Sequence, residues 1–498
     1  MIQDVLVLGA GSAGLIAALS FKRKIPQLNV RVIRSPSIGV IGVGEATTPN
    51  FPGHLFDYLG ISRKRFYALA EPTWKLGIKF LWGERGRFNY TFQQQLDTQY
   101  PDLSKPTGYY CDDDFDNASL PGALMHRDMA FPRQANGAPE IHHWHAFHIE
   151  NKKFVRVLEE VAREHGIEFT DGEFAHAERG PNGLAALHLK DGQRLAADFF
   201  IDASGFRSEL LGKVLETPFT SFADSLFCDK AVIGGWEREE GEPILPYTVA
   251  ETMDSGWAWR IDHEKLINRG YVYSSQAISD DAAAEEFHRK NPKIKDEPKI
   301  VKFRSGCYER QWVGNVVALG NSSGFVEPLE STGIMMLCSH TQALIDLLRH
   351  SDLEIVDSMR ELYNESTVTG WKDVKDFLSI HYKFNGMLDT PFWKSVRADA
   401  DVSRVQPLID FYQDNGPTGF CRYRLPKTQT DFGLEGYLVM LVGQKVPYKK
   451  RFKPSAEELQ IWDRKKRGFI AEAKCGITSE EALAYVKHPG WRWNADLA

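Results

Sequence analysis

The chain has 498 residues, enough to bury a large core as two intimately joined domains. A formal net charge of −7 removes the electrostatic case for nucleic acid or an anionic membrane and leaves small molecules as the expected partners. Six cysteines without any C-x-x-C spacing argue against a zinc site and for reduced thiols in a cytoplasmic protein.

Val5-Leu6-Val7-Leu8 is an apolar run suited to a buried parallel strand. With no basic region ahead of it, it does not read as a signal peptide. Gly9-Ala10-Gly11-Ser12-Ala13-Gly14 follows, and a helix continues from Leu15 to Phe21. Gly9 permits the turn, Gly11 lets the backbone approach a pyrophosphate, and Gly14 lets helix and strand pack closely. The anion would rest on the helix N-terminus. A second strand, Asn29 to Arg34, ends in Arg34-Ser35, where a ribose-gripping acid usually stands. The loop Gly42-Val43-Gly44-Glu45-Ala46-Thr47-Thr48-Pro49 comes next.

Thr73 to Trp82 alternates as one strand, with Trp74, Leu76, Ile78, Phe80 and Trp82 on one face and Lys75, Gly77 and Lys79 on the other. Phe88-Asn89-Tyr90-Thr91-Phe92 is a second aromatic strand, able to line a core or stack on a flat ring. The acidic run Asp112 to Asp116 reads as a solvated loop, since nothing nearby supplies matching metal ligands. His142, His143, His145 and His148 crowd together but run into an amphipathic helix, Lys152 to Glu164, which disfavours a metal centre. Phe199 to Asp202 and Val316 to Leu319 read as further buried strands, and Trp257-Ala258-Trp259-Arg260-Ile261 as a buried strand with both tryptophans on one face. Glu327-Pro328-Leu329-Glu330-Ser331-Thr332-Gly333-Ile334 leads into a helix reaching about Arg349, whose positive end faces whatever the loop holds. From about Asp346 the chain reads as mainly helical. No apolar stretch is long enough to cross a bilayer.

Five motifs in order, the glycine loop, G-V-G-E-A-T, the lysine strand, W-x-W-x-I and E-P-L-E-S-T-G-I, resemble those of the flavin-dependent halogenases of the tryptophan halogenase family. The resemblance implies an α/β fold. An FAD-binding Rossmann-like module of the glutathione-reductase/monooxygenase type would be intimately joined to a substrate domain and a mainly helical C-terminal part. The module would span 1–345 with substrate-facing insertions at about 50–150 and 215–300, and 346–498 would complete the substrate site.

By the same resemblance, Gly9, Gly11, Ser12, Ala13, Gly14, Gly44, Glu45, Ala46 and Ile334 bind FAD, and the amides of Thr332 and Gly333 hold the halide ion. Lys75 matches the catalytic lysine and Glu330 the glutamate that faces it; Lys79 is the near miss. Trp257 and Trp259 match a box beside the flavin that keeps substrate away from it, although Asp262 stands where that box continues with proline. Tyr90 and Phe92 match the segment that stacks on indole. Gly433 falls where the tryptophan enzymes place a pocket-closing aromatic, which favours a more open site for indole or another electron-rich arene.

The implied reaction uses reduced FAD and dioxygen to oxidise chloride or bromide to hypohalous acid. Lys75 passes the halogen to the arene, and Glu330 orients the reagent and helps remove the proton. A single dinucleotide loop implies a separate flavin reductase as the source of FADH2. The rival readings are an FAD-dependent aromatic monooxygenase, which would not need Lys75, and a non-catalytic flavin carrier.

Overall fold

The structure, a computed structural model, describes residues 1–39, 44–297, 299–427 and 431–493. Gly42 and Val43 of the glycine-rich segment lie outside the described residues. The chain folds as two compact units, Met1–Glu71 with Ile149–Ala223 and Phe303–Lys372, and Pro72–His148 with Asp224–Lys302 and Asp373–Ala498.

In the first unit, Asp4–Leu8 occupies the interior of a six-stranded sheet, paired in parallel with Phe199–Asp202 on one side and Asn29–Arg34 on the other. A strand paired on both edges and covered on both faces must be apolar throughout, and Val5, Leu6 and Val7 are fully buried. Glu168–Asp171 extends one edge, and Val316–Ala318 extends the other. Strands remote in sequence thus complete the sheet opened by the first residues. The helix Ser12–Lys24 packs against the helices Asn151–Glu164 and Gly333–His350. A three-stranded antiparallel sheet, Phe174–Gly180, Gly183–Leu189 and Arg194–Ala196, adds Leu184, Leu187 and Leu189 to the core of Leu6, Ile33 and Phe200.

In the second unit, seven strands run in the spatial order Lys299–Lys302, Lys230–Glu237, Leu266–Tyr273, Gly256–Asp262, Thr248–Met253, Gly77–Leu81, Phe88–Thr91. Neighbours are antiparallel except Thr248–Met253 with Gly77–Leu81. Helices Pro391–Asp399, Gln406–Asn415, Gly433–Gly443, Ala456–Lys474 and Ser479–Lys487 lie in the C-terminal part. The last two open with reciprocal capping boxes, Ser455 with Glu458 and Thr478 with Glu481. Among the described residues no helix is long and apolar enough to cross a membrane.

Two sequence expectations change. Thr73 to Trp82 is not one strand. Thr73–Lys75 pairs with Ala146–Ile149, and Gly77–Leu81 joins the seven-stranded sheet. Between them, Leu76 donates its N–H to Pro246 and accepts one from Phe92. Gly77 makes the transfer possible, because a Cβ there would lie 2.1 Å from the Tyr90 carbonyl oxygen. The acidic run is also not simply solvated: Asp112 pairs with Arg85 and Arg451, and Asp116 with His126 at 3.2 Å.

Candidate active site

The glycine loop has the geometry its spacing predicts. Gly9 has φ +117°, and a Cβ on it would meet the Ala203 oxygen at 2.4 Å. At Gly14 a Cβ would lie 1.9 Å from the Gly9 oxygen, so only glycine lets helix and turn close. Gly11 differs: nothing among the described residues lies within 4 Å of its Cβ position, which leaves an open face at the start of the helix Ser12–Lys24. That cradle fits a dinucleotide pyrophosphate.

Glu45 and Ala46 form a short strand beyond Gly44, whose φ is +72°. Glu45 and Ser12 are joined by a residue absent from the sequence-derived set, Asn151. The Ser12 hydroxyl donates to Asn151 Oδ1 at 2.8 Å, and Asn151 Nδ2 donates to Glu45 Oε1 at 3.1 Å. Burial pushes the Glu45 carboxyl up to about 7 against the opposing pull of Asn151. Arg34, where an acid was missing, is committed to Asp171 and Glu159 through contacts of 2.6–3.0 Å.

In the same unit, Gly320, seven residues ahead of the E-P-L-E-S-T-G-I segment, lies against the glycine loop, where its Cβ would stand 2.8 Å from that of Ala13. Ser331 turns the chain with φ +59°, and Thr332 stands ahead of the helix Gly333–His350 without a side-chain cap to it. The first amides of an α-helix have no intrahelical acceptor. Among the described residues, the fully buried Thr332 hydroxyl has no hydrogen-bond partner and nothing lies within 4 Å of a Cβ at Gly333. This end of an eighteen-residue helix suits a small anion. Glu330 is buried in the preceding turn and Ile334 in the first helical turn.

Lys75 lies in the second unit. Its side chain is completely buried, with Nζ 5.1 Å from the centre of the Phe92 ring. Thr73, Lys75 and their cross-strand partners His148 and Ala146 share one face of the ladder. His148, a further residue that motif matching missed, holds its Nε2 2.8 Å from Thr248 Oγ1. Burial lowers its basicity far below the usual imidazole range, with the Lys75 and His263 charges acting in the same direction and the Asp262 main chain opposing them.

Lys79 is engaged differently. It donates to the Tyr247 hydroxyl, which donates to Asp128, and it lies 3.6 Å from that carboxylate. Burial lowers its pKa, and Asp128 counteracts the shift.

Tyr90 packs toward Phe377 at 6.3 Å between ring centres, and Phe377 stacks on Phe432 at 3.8 Å. Gly433 has φ +56°, with nothing among the described residues within 4 Å of its Cβ position. Gly436 is held as glycine by the Tyr90 hydroxyl, 2.7 Å from where a Cβ would stand. The carboxylate of Glu435 accepts the main-chain N–H groups of Gln95, Leu96 and Asp97 at 2.7–3.2 Å, fixing the turn after Phe92. Trp257 and Trp259 are buried in the strand Gly256–Asp262, their rings 6.2 Å apart. Trp259 covers Gly270, and its indole N–H has no partner among the described residues. Asp262, where proline would end the ladder, pairs with Ile267 and accepts from Arg260 and Leu245. The arrangement therefore brings Lys75 to Phe92 in one unit and, in the other, links the glycine loop to Glu45 through Asn151; the Thr332–Gly333 turn belongs to the same unit as that loop.

The family model for tryptophan halogenase matches residues 4–460. Tryptophan 7-halogenase RebH of Lentzea aerocolonigenes is 31% identical over 442 residues, 83% of this chain and 82% of that protein. Among solved structures, MibH, a lathipeptide tryptophan 5-halogenase, superposes with a TM-score of 0.89 at 38% identity, covering 98% of this chain and 94% of that one. Xcc4156, a flavin-dependent halogenase from Xanthomonas campestris, gives 0.86 at 25% identity, covering 99% and 100%. Neither the monooxygenase nor the bare flavin-carrier reading is favoured by these matches. A strand-turn-helix cradle, an anion-ready helix end and a buried lysine beside an aromatic ring, in a chain matched along most of its length, make this protein a flavin-dependent halogenase belonging to the tryptophan halogenase family.

Proposed function

We propose that the protein halogenates the ring of indole or an indole derivative with chloride or bromide, and that Lys75 is the residue that delivers the halogen. The observation carrying this reading is the burial of Lys75 at 5.1 Å from the Phe92 ring. An amine in that position meets a flat substrate stacked on the aromatic. Reduced FAD, when bound, supplies the electrons that with dioxygen turn halide into hypohalous acid.

The chain's own residues do the rest. Gly9, Gly11, Ser12, Ala13 and Gly14 seat the dinucleotide, with Gly44, Glu45, Ala46 and Ile334 flanking it. The main-chain amides of Thr332 and Gly333 hold the halide. Lys75 takes up the electrophilic halogen and presents it to the ring held by Tyr90 and Phe92. Glu330 orients the reagent and accepts the proton that leaves as the new carbon–halogen bond is retained. Trp257 and Trp259 keep the arene away from the flavin. A single dinucleotide loop supports reduction of FAD by a separate reductase, and six free cysteines, five of them buried, support a reducing, cytoplasmic setting.

RebH and MibH are both named for tryptophan, one of them in a lathipeptide. The open space around Gly433 supports an indole group arriving here without a clamp for a free amino acid. The test is an assay with indole, FAD, a flavin reductase, and bromide or chloride, read by mass spectrometry. Halide-dependent mass gain supports the reading; oxygen insertion, or no product while flavin turns over, overturns it.

A further inference from the structure

The two segments read as flavin-binding lie far apart in sequence, and each is a turn whose shape glycines allow rather than enforce. Gly11 is open on its outer face, and Gly44 takes a left-handed conformation. Something else must fix the distance between them. Asn151, at the start of the helix Asn151–Glu164 and 6% exposed, is in contact with both. Its amide is used in both senses: Oδ1 accepts from Ser12 Oγ at 2.8 Å, and Nδ2 donates to Glu45 Oε1 at 3.1 Å. The helix that carries it is anchored against the helix Ser12–Lys24, so the asparagine is placed by packing and not by the loops it joins.

We propose that Asn151 is a positioning residue of the flavin site, holding the glycine loop and the Glu45 strand at one separation before the cofactor arrives; this rests on the flavin reading of those two segments. The hydrogen-bond directions carry a second consequence. Because the Ser12 hydroxyl is spent on Asn151, Ser12 offers the pyrophosphate its main-chain N–H and not its side chain. On the other side, the Asn151 N–H favours the ionised form of Glu45, while burial favours the neutral one; these are the two causes acting on that carboxyl. Asn151 therefore couples cofactor seating to the protonation of Glu45.

Four proteins decide the matter: the wild type, Asn151→Ala, Asn151→Asp, and Asn151→Asp combined with Glu45→Gln. FAD binding is measured by quenching of flavin fluorescence between pH 5.5 and 8.5, with circular dichroism confirming the fold of each. Asn151→Ala should weaken FAD binding by about tenfold, the loss expected for a hydrogen bond to a charged group. It should also move the pH inflection of binding upward, since the ionised Glu45 loses its donor. Asn151→Asp should be worse at high pH, where two carboxylates face each other. In the double variant the new amide at position 45 donates to the new carboxylate at position 151, which still accepts from Ser12, so affinity should rise by about threefold or more above that of Asn151→Asp. That rescue is the deciding result, because a merely space-filling asparagine predicts no recovery from reversing donor and acceptor. Failure of the wild type to bind FAD at all would sink the flavin reading itself. Tight wild-type binding with an unchanged Asn151→Ala affinity, or a double variant no better than Asn151→Asp, would overturn the role of Asn151 alone. Should Asn151→Ala fail to fold, the comparison of Asn151→Asp with the double variant still decides.

Discussion

Lys75 and Lys79 sit on one side of a single alternation in the sequence, yet the structure gives them different environments. Lys75 is wholly buried beside Phe92, while Lys79 is tied to Tyr247 and Asp128. Lys75→Ala should therefore abolish halogenation while FAD binding and reduced-flavin oxidation continue, and Lys79→Ala should cost stability more than chemistry. Product analysis beside oxygen uptake separates the two, and halogenation surviving in Lys75→Ala would show the wrong lysine had been assigned. For Glu330→Gln, the rate should fall by on the order of a hundredfold with the fold intact, as expected for losing a proton acceptor. An unchanged rate would make that carboxylate structural.

Glu45 makes a prediction about pH. Its pKa in the folded protein is about 7 against an ordinary 4.5, so in that window the folded state holds a proton the unfolded chain has released. Stability must then fall as pH rises from 4.5 to 7 and stay reduced above it. Glu45→Gln should lift the melting temperature at pH 8 and leave it nearly unchanged at pH 4.5. The effect should be on the order of 2 kcal/mol, discounted for partial exposure. A melting curve for the apo protein across that range checks the sign.

At the scale of elements, what could be read in advance were the runs whose neighbours are dictated locally. Val5 to Leu8 is apolar at every position because it is a central strand, and Gly9, Gly11 and Gly14 announce the turn after it. The break at Leu76 was not legible. Alternation continues through it, and only the arrival of the Phe88–Thr91 strand against Gly77 shows why the ladder changes. Asn151 was likewise invisible, and His148 was legible only as one of four crowded histidines, since their contacts are with partners far away along the chain, Ser12 and Glu45 for the one and Thr248 for the other.

The helix Gly433–Gly443 supplies a test of this reciprocal fitting. Gly436 is glycine because of the Tyr90 hydroxyl, so Gly436→Ala should cost about 1–3 kcal/mol and displace Tyr90 from the ring-binding wall. Adding Tyr90→Phe removes the closest clash and should restore part of both stability and kcat/KM for indole. The Phe432 contact at 3.0 Å keeps the rescue incomplete. Equal damage in the single and double variants would mean that the Tyr90 hydroxyl is not what the added methyl meets.

For the molecule as a whole, the open space at Gly433 bears on which substrates are turned over. Burying an ammonium and a carboxylate without partners is costly, and a bare indole avoids both charges. Indole should be halogenated faster than free tryptophan, at the ring carbon of highest electron density, because loose binding leaves the choice of position to intrinsic reactivity. Kinetics on both substrates, with regiochemistry from NMR, decide this. Tight tryptophan binding with substitution on the benzo ring would mean that a clamp exists elsewhere.

Each compact unit is stitched from three separate stretches of chain. During synthesis on the ribosome, the Asp4–Leu8 strand therefore emerges long before Phe199–Asp202, which must lie beside it, and longer still before Val316–Ala318 pairs with the latter. For that interval one of the most apolar strands in the protein has no finished sheet to enter. Growth of the nascent chain, and not the stability of the finished sheet, then sets how long this surface needs shelter from aggregation.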